Sequence, residues 1–228
     1  MKDQVQIHGV SLPTDQGVLT DLLLREITSG VFEQEEIAAL KAVLRPGDRV
    51  LDIGGGLGVT SSFIAARPGI RSVTVVEPNP NTQAYLRAVH ALNKVTVTIL
   101  EGVLSAAATP GERDFYVRPH VFGSSLFARE DGSGRRVRVR AIPLREVLAD
   151  LRPTVISCDI EGGEIELFAG AALPGVRAIV MEVHPRITGR PAIRDMMAHL
   201  RAIGFRPQRA LSSAEVKVLT RPFWRRRA

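Results

Sequence analysis

Apolar residues in this chain gather in short runs, separated by stretches in which they recur at helical spacing. The runs lie at positions 50–53, 72–76, 95–100, 155–158 and 178–183. The helical stretches include residues 81–92 and 192–203. Short continuous apolar runs that alternate with helices are typical of a parallel sheet buried on both faces. The pattern therefore predicts an α/β fold with helices on both faces of the sheet.

The first 45 residues carry a different pattern. They predict a short strand at 4–8, a turn at Pro13 and two helices, at 18–27 and 32–44. Acidic residues in the first turn of the second helix suit the positive end of its dipole. We expect residues 1–45 to form a helical cap that covers the sheet edge or the ligand cleft.

Two further segments complete a single predicted domain over residues 1–228. Residues 105–150 are irregular and predict a loop-and-hairpin insertion, a position where substrates are often selected. The C-terminal residues predict two strands, at 205–210 and 216–220. A closing hairpin after alternating βα units adds an antiparallel strand to the sheet, which a dinucleotide-binding domain lacks.

A glycine-rich turn follows the first predicted strand of the sheet. It reads Asp52-x-Gly54-x-Gly56-x-Gly58 and leads into a helix. Backbone N–H groups at a helix N-terminus, without β-carbons in the way, suit a ligand that approaches closely. A dinucleotide-binding turn would need its third glycine where Val59 stands.

The acid followed by alternating glycines resembles instead motif I of class I methyltransferases, which use S-adenosylmethionine. The acidic side chain suits the cationic amino acid end of that cofactor, whereas a dinucleotide site would need donors for a pyrophosphate. We therefore expect Asp52, Gly54, Gly56, Gly58 and Ser61 to bind S-adenosylmethionine.

Acidic residues also end the next two strands. Glu77 lies 19 residues after Gly58, the distance at which a strand-end acid accepts hydrogen bonds from ribose hydroxyls. Asn79 follows it, and Glu101 ends the third strand, where the edge of an adenine ring is expected. The sequence therefore adds Glu77, Asn79 and Glu101 to the predicted cofactor site.

Candidate catalytic groups follow the fourth and fifth strands. Asp159, Glu161 and Glu164 fall within six residues. Carboxylates so close in sequence repel one another, so a turn without a function would rarely contain three of them. His184 follows the fifth strand, across the predicted cleft. A hydroxyl acceptor needs a base with a pKa near neutral, so we expect His184 to be that base, oriented by Asp159 and Glu161. The alternative is that His184 only caps the end of the strand and has a structural role. Asp159 is also expected to contact the cofactor.

The sequence favours a site without a metal ion. It has no cluster of histidine and cysteine at the spacing of a zinc site. The alternative is Mg²⁺ bound by the hard oxygen ligands of Asp159, Glu161 and Glu182, which would lower the pKa of an acceptor hydroxyl.

Together these motifs resemble the FkbM family of S-adenosylmethionine-dependent methyltransferases. The resemblance runs through Gly30-x-Phe32-Glu33, LDIGGGLGVTSS, VVEPNPN, the Gly-Ser-Ser loop at 123–125, Ile142-Pro143-Leu144, CDIEGGE and MEVHP. It implies a Rossmann-like seven-stranded, mostly parallel sheet with strand order 3-2-1-4-5-7-6. It also implies O-methylation of hydroxyls on sugars and other natural products. One departure is that Gly55-Gly56 replaces the family's usual Ala-Asn, which removes a side-chain amide near the cofactor.

The charge of the chain bears on its partners. It has 228 residues, a net charge of +6 and a pI near 10.2, with arginines clustered at 135–140 and 225–227. Such clusters suit a phosphate backbone, but aromatic content is only 5% and no stacking residues interleave the arginines. Alternating valine and arginine at 137–140 also fits a strand with one solvated face. A nucleic-acid partner is therefore the weaker expectation.

The location of the protein follows from segments that the sequence lacks. No stretch approaches the roughly 20 apolar residues of a membrane span, and the N-terminus lacks the apolar core of a signal peptide. The single cysteine, Cys158, lies in an apolar strand and is expected to be an inert buried thiol. We expect a cytoplasmic protein without membrane contact and leave open whether it forms a homo-oligomer.

The expected reaction is SN2 transfer of a methyl group to the oxygen of a small-molecule hydroxyl. One alternative is methylation of a nitrogen in RNA or protein, which the positive charge favours. Another is a non-catalytic partner subunit that only binds the cofactor. His120 and Ser125, in the insertion, are further candidates for ligand contact.

Overall fold

The computed structural model describes residues 4–118, 124–127 and 134–222. The strands are β1 (Gln4–Ile7), β2 (Val10–Pro13), β3 (Arg49–Ile53), β4 (Ser72–Glu77), β5 (Thr98–Glu101), β6 (Val103–Ser105), β7 (Gly111–Val117), β8 (Arg135–Pro143), β9 (Val155–Cys158), β10 (Ala178–Glu182), β11 (Arg206–Pro207) and β12 (Val216–Thr220). The helices are α1 (Asp21–Ser29), α2 (Gln34–Val43), α3 (Val59–Ala65), α4 (Pro80–Leu92), α5 (Leu144–Leu151), α6 (Glu164–Phe168), α7 (Pro185–Thr188) and α8 (Arg190–Ala202). Within these ranges no helix has the length and apolar character that a membrane crossing requires.

Seven strands form the central sheet, in the order β11-β12-β10-β9-β3-β4-β5. The five strands from β10 to β5 are parallel neighbours, whereas β12 runs antiparallel to β10 and to β11. Numbered along the chain, the seven strands have the order 3-2-1-4-5-7-6. The predicted α/β fold with a mostly parallel, Rossmann-like sheet is therefore confirmed.

Alternate residues of the central strands enter two separate apolar layers. Val50, Val155 and Val180 pack in the layer that contains α1, α2 and α3, and their chain neighbours pack in the layer of α5, α6 and α8. Side chains two residues apart on a strand share a face. Asp52 and Glu182 therefore lie on the face covered by α1 and α2, at the carboxyl end of the sheet.

The N-terminal cap is part hairpin and part helix. β1 and β2 pair in antiparallel register through a two-residue turn at His8 and Gly9, whose φ angles of 51° and 83° are both positive. This geometry is that of a tight hairpin turn. The sequence pattern predicts the first strand and both helices but misses β2. The turn predicted at Pro13 is wrong, because Pro13 is the last residue of β2 and pairs with Gln4. A strand of four residues gives little periodic signal.

The insertion at 105–150 contributes to a three-stranded sheet, which is more regular than the predicted loop and hairpin. β8 lies between β6 and β7, parallel to the first and antiparallel to the second. Arg138 of β8 pairs with Glu112 and Asp114 of β7, and Arg136 pairs with Asp114. The described part of the arginine cluster therefore forms a charged strand face. Gly132, Ser133 and the arginines at 225–227 lie outside the described residues.

Candidate active site

The glycine turn after β3 packs tightly against the end of β9. Gly54 has a φ of 96°, and a β-carbon there would lie 1.9 Å from the carbonyl oxygen of Asp159. Gly56 has a φ of 47°, and nothing lies within 4 Å of its β-carbon position. The turn is therefore closed at Gly54 and open at Gly56, where a ligand can approach the backbone.

The same geometry accounts for the departure from the usual Ala-Asn pair. The left-handed conformation of Gly56 is one that asparagine adopts more readily than most residues, and the open space would accept its side chain. At Gly55 a β-carbon would lie 2.7 Å from Cγ2 of Val75. Packing against Val75 therefore requires glycine at position 55, whereas at position 56 the space would accept a side chain.

Glu77, at the end of β4, is buried, and both of its carboxylate oxygens accept hydrogen bonds from backbone N–H groups. Its Oε2 accepts a hydrogen bond from the N–H of Gly56 at 2.9 Å, and its Oε1 accepts one from the N–H of Asn79 at 2.7 Å. Burial raises the pKa of Glu77, and these donors act in the opposite direction. We call the cavity beside this carboxylate the cofactor pocket; its lining includes Gly54, Gly56, Glu77, Asn79, Gly102 and Leu104.

Three of the residues predicted to bind the cofactor do not line the described pocket, and their contacts are with other parts of the protein. Gly58 caps α3 with a φ of 79°. Ser61 is fully buried and its Oγ lies 2.8 Å from Nε2 of His90. The Glu101 side chain is 54% exposed and pairs with Arg87 at 2.5 Å. The glycine-rich motif predicted the roles of Gly58 and Ser61, and the strand end predicted that of Glu101, but only the packing shows where each residue lies.

A second cavity, of about 480 Å³, lies between the cap and the glycine turn. Asp52 borders it, is 2% exposed, and has an Oδ2 atom without a hydrogen-bond partner among the described residues. Burial raises the pKa of Asp52 to about 7, although a hydrogen bond with Ser157 acts against this. We call this space the acidic cavity, because its lining includes Glu26, Glu33, Glu36, Asp52, Asp159, Glu161, Glu182 and Glu215.

The two cavities are adjacent. Glu33, Gly54, Asp159 and Glu161 line both of them. A ligand in the cofactor pocket and another in the acidic cavity would therefore meet at the carboxyl ends of β3 and β9.

The turn after β9 is built around Glu164. This side chain is 1% exposed, and its Oε1 accepts hydrogen bonds from the N–H groups of Ile160 and Gly162 at 3.1 and 3.3 Å. Glu161 adopts a φ of 54°, which is uncommon for a residue with a β-carbon. The turn thereby places Asp159 and Glu161 on the cavity walls.

His184 lies just beyond β10 among four carboxyl groups. Its Nδ1 is 3.3 Å from Glu164, and its Nε2 is 3.5 Å from Asp159, 3.6 Å from Glu161 and 3.9 Å from Glu182. Burial lowers the pKa of His184, but the Glu164 contact and the surrounding negative charges raise it to about 9 overall. Without a ligand the ring is therefore protonated at neutral pH. A positive charge bound nearby would lower this pKa and make the ring a base.

Other acids of the cavity also have a raised pKa. Burial raises the pKa of Glu33 to about 8, of Asp159 to about 7 and of Glu182 to about 9. The Asp159 side chain is 45% exposed, but it borders the two cavities and lies among other carboxylates. The neighbouring Glu36 raises the pKa of Glu182 further.

Sequence reasoning missed Glu33 and Glu36 and did not predict the position of Glu164 beside His184. Glu33 and Glu36 were expected only to favour the helix dipole, yet both line the acidic cavity, and Glu33 accepts a hydrogen bond from Thr60 at 2.6 Å. Glu164 was one of a carboxylate cluster, and the structure makes it the group that contacts Nδ1 of His184. The Gly30-x-Phe32-Glu33 segment of the family resemblance was the one signal for Glu33.

One group of donor atoms is close enough to share a cation. Asp159, Glu182 and His184 each offer one atom, and these atoms lie within 4.8 Å of one another. The Mg²⁺ alternative named Glu161 in place of His184. The expectation that no metal is needed stays a prediction.

The insertion brings only one of its two candidate residues into the described structure. His120 lies outside the described residues. Ser125 is 2% exposed, and its backbone pairs with that of Tyr116 at 2.9 and 3.3 Å. Its neighbours Ser124 and Leu126 line the cofactor pocket. Ser125 therefore orders this loop, and the adjacent residues lie on the wall of the cofactor pocket.

The sequence of the site matches a known family. The model of the methyltransferase FkbM domain matches residues 52–207. The chain belongs to this family. It is thus an S-adenosylmethionine-dependent methyltransferase, which confirms the enzyme class and the cofactor that the motifs predict. Family membership also favours catalysis over a non-catalytic partner subunit.

Solved structures show where the fold occurs elsewhere. A putative transferase from Pyrococcus horikoshii is 14% identical, with 95% of this chain and 69% of that chain covered and a TM-score of 0.50. A putative tRNA (m1A22) methyltransferase of Streptococcus pneumoniae, in complex with S-adenosylmethionine, is 17% identical, with coverages of 83% and 72% and a TM-score of 0.48. At such identities the likeness concerns the fold alone. No curated protein sequence matches the chain significantly.

Proposed function

We propose that this FkbM-family enzyme transfers a methyl group from S-adenosylmethionine to a hydroxyl oxygen of a small molecule. The observation that carries the proposal is the shared wall of the two cavities. Asp159 and Glu161 border both, and His184 borders the acidic cavity. A hydroxyl bound there would meet a proton acceptor beside the cofactor, which is the alignment that methyl transfer needs.

The residues of the chain fit the cofactor. Glu77 retains lone pairs for ribose hydroxyls after accepting its two backbone hydrogen bonds. The unpartnered Oδ2 of Asp52 suits a positively charged ammonium group, and the open side of Gly56 admits a ligand to the backbone. When bound, S-adenosylmethionine supplies a methyl group that its sulfonium already activates.

The protein supplies orientation and proton transfer. Nδ1 of His184 lies 3.3 Å from Glu164, and Nε2 faces Asp159, Glu161 and the cavity. Positive charge bound near Asp52 and Asp159 lowers the pKa of His184 by repulsion. The neutral ring then accepts the hydroxyl proton at Nε2, which leaves the oxygen as a competent nucleophile.

A nucleic-acid acceptor fits the described surface less well. Carboxylates of the acidic cavity repel phosphate groups. Arg136 and Arg138 of β8 already form ion pairs with acids of β7. The net charge of +6 is the observation that makes RNA worth testing.

Incubation with methyl-labelled cofactor and a panel of sugars, macrolide-like alcohols and RNA tests the proposal. We expect label on the oxygen of a small molecule. Label that appears only in RNA, or only on nitrogen, would overturn the proposed acceptor. RNA binding that weakens steeply with salt would accompany that outcome.

A further inference from the structure

Two exposed apolar side chains meet at the turn that follows β9. Phe127 of the insertion and Ile187 of α7 are 40% and 47% exposed. A β-carbon on the buried Gly162 would lie 2.9 Å from Cγ2 of Ile187, and 3.2 Å from both Cε2 of Phe127 and Cγ2 of Thr188. The three side chains therefore converge on one face of Gly162, and we call this surface the apolar platform.

The platform depends on the glycine at its centre. Gly162 has a φ of 99°, which a residue with a β-carbon rarely adopts. Any larger residue would also displace Ile187, whose Cγ2 atom leaves no room for a β-carbon. The turn after β9 thus lets two apolar side chains from distant segments come together at the surface.

Hydrogen bonds fix the backbone that carries both side chains. The N–H of Phe127 donates to Oγ of Ser125 at 3.2 Å, and that hydroxyl lies 3.2 Å from the carbonyl oxygen of Phe127. The N–H of Ile187 donates to the carbonyl oxygen of His184 at 3.0 Å. A single exposed apolar residue needs no explanation, but apolar side chains held together at the surface mark a binding site.

The platform is continuous with the two cavities. Residues beside its members in the chain line them: Leu126 lines the cofactor pocket, Glu161 lines both cavities and His184 lines the acidic cavity. The carbonyl contact with His184 places Ile187 one helical turn from the proposed base. A ligand on the platform can therefore extend into the space where methyl transfer is proposed.

We propose, building on the proposed function, that the acceptor carries an alkyl or aryl group that packs on Phe127 and Ile187 while its hydroxyl reaches His184. The size of the platform favours a small molecule over a protein partner. A stable interface between proteins buries roughly 1,000 Å² or more, far more than these side chains offer, whereas one ring or a short chain would cover them.

Contact with the platform would supply affinity that the acidic cavity cannot give to an uncharged hydroxyl. Each CH₂ group buried from water strengthens binding about fourfold, whereas a hydroxyl exchanges hydrogen bonds with water for hydrogen bonds with the protein at a smaller net gain. A group held away from the reacting oxygen also orients that oxygen. The platform would thereby select the acceptor and align it.

Ligand binding to the full chain, saturated with S-adenosylhomocysteine, tests the inference without relying on turnover. The probes are the methyl and phenyl glycosides of glucose, galactose and rhamnose, so the two members of each pair have the same hydroxyls and differ only in the apolar group. For at least one sugar, calorimetry should show the phenyl glycoside binding at least about tenfold more tightly than its methyl partner.

Two variants and a control assign this preference to the platform. Phe127→Ala and Ile187→Ala should each reduce the phenyl preference by about threefold or more. Both changes shorten exposed side chains, so the variants should fold as the unchanged chain does. Leu92→Ala shortens another exposed apolar residue, 41% exposed at the last position of α4, and should keep the full preference.

Several outcomes would overturn the inference. They are equal binding of the methyl and phenyl partners for every sugar, no binding of any probe, and a phenyl preference that survives both platform variants. Self-association of the chain in analytical ultracentrifugation, lost in Phe127→Ala and Ile187→Ala, would assign the platform to a second copy instead.

The fate of the proposed function is read separately, from methyl-labelled cofactor. Equal transfer to the hydroxyls of methyl and phenyl glycosides would leave that function standing while the platform inference falls. A phenyl preference that both variants lose, without any transfer to oxygen, would remove the proposed reaction but keep the platform as a site for an apolar ligand.

Discussion

Asp52 and Glu77 end neighbouring parallel strands and are both almost fully buried, yet their surroundings differ. Backbone N–H groups of the glycine turn and of Asn79 satisfy both oxygens of Glu77. One oxygen of Asp52 has no such partner among the described residues. The contrast extends to the cavities beside them. The cofactor pocket supplies donors to its acid, whereas the acidic cavity is lined by eight carboxyl side chains and, among the described residues, by His184 as the one group that can carry a positive charge.

The difference separates two ways of preparing a site. Hydrogen bonds made before the ligand arrives fix the position of Glu77 and reduce the cost of ordering it on binding. Acids left without positive partners lower the stability of the ligand-free protein, and a cationic ligand relieves that cost. The cofactor pocket is thus organised in advance, whereas the acidic cavity keeps buried acids that a bound cation would stabilise.

The largest expected effect comes from the acidic side of the comparison. His184→Ala should reduce turnover by roughly 10²–10⁴-fold, the usual contribution of a positioned base, because the hydroxyl proton loses its acceptor. Cofactor affinity, measured by calorimetry, should stay nearly the same. His199→Gln, remote from both cavities, is the matched control. If His184→Ala kept its turnover and lost only stability, the residue would be a strand-end cap.

A smaller effect is expected in the cofactor pocket. Glu77→Ala should weaken S-adenosylhomocysteine binding by about 1–3 kcal/mol, the range for losing a charge-assisted hydrogen-bond partner. Glu101→Ala removes an exposed acid from the next strand and should leave that affinity unchanged. Equal affinities for the two variants, with the fold intact by circular dichroism, would take Glu77 out of the site.

The dependence of the free energy of unfolding on pH should reveal the raised pKa values of the acids and of His184 in the acidic cavity. Asp52, Asp159, Glu182 and His184 all have a raised pKa in the folded chain, so the native state binds more protons than the unfolded state. Stability must then fall as pH rises, from about pH 4 up to about pH 9. Thermal unfolding without ligand should show it, at about 2–4 °C per kcal/mol for a chain of this size.

Cofactor binding should reduce that slope, because added positive charge favours the ionised carboxylates. Glu182→Gln should reduce it as well, and Glu146→Gln should not. A midpoint that stays level or rises between pH 5 and pH 9 would contradict the picture of acids held protonated in the cavity.

The smallest effect is expected at Gly56. An asparagine at position 56 fits both the left-handed backbone and the open space around it. The free energy of unfolding of Gly56→Asn should therefore change by no more than about 0.5 kcal/mol. Gly55→Ala, one residue earlier, would crowd Val75 and should cost about 1–3 kcal/mol. Similar losses for both variants would mean that the turn is equally closed at the two positions.

The sequence alone determined the fold class and the cofactor, and it predicted part of the wall of the cofactor pocket. Apolar runs place the strand ends, and strand ends of a parallel sheet meet at one edge, so Asp52, Glu77 and Asp159 could be located without a structure. The expected helix, strand and glycine positions depend on local periodicity and backbone freedom, which a single sequence carries.

Only the tertiary structure decided what those residues face. Ser61 and Glu101 occupy the expected segments, yet one is buried against His90 and the other pairs with Arg87 at the surface. Glu33 and Glu36 belong to a cap far from the strands in sequence, and packing of α2 on the sheet brings them to Asp52 and Glu182. The environment of His184, with Glu164 behind it and three further acids around it, depends on contacts between distant segments, and no local pattern encodes those distances.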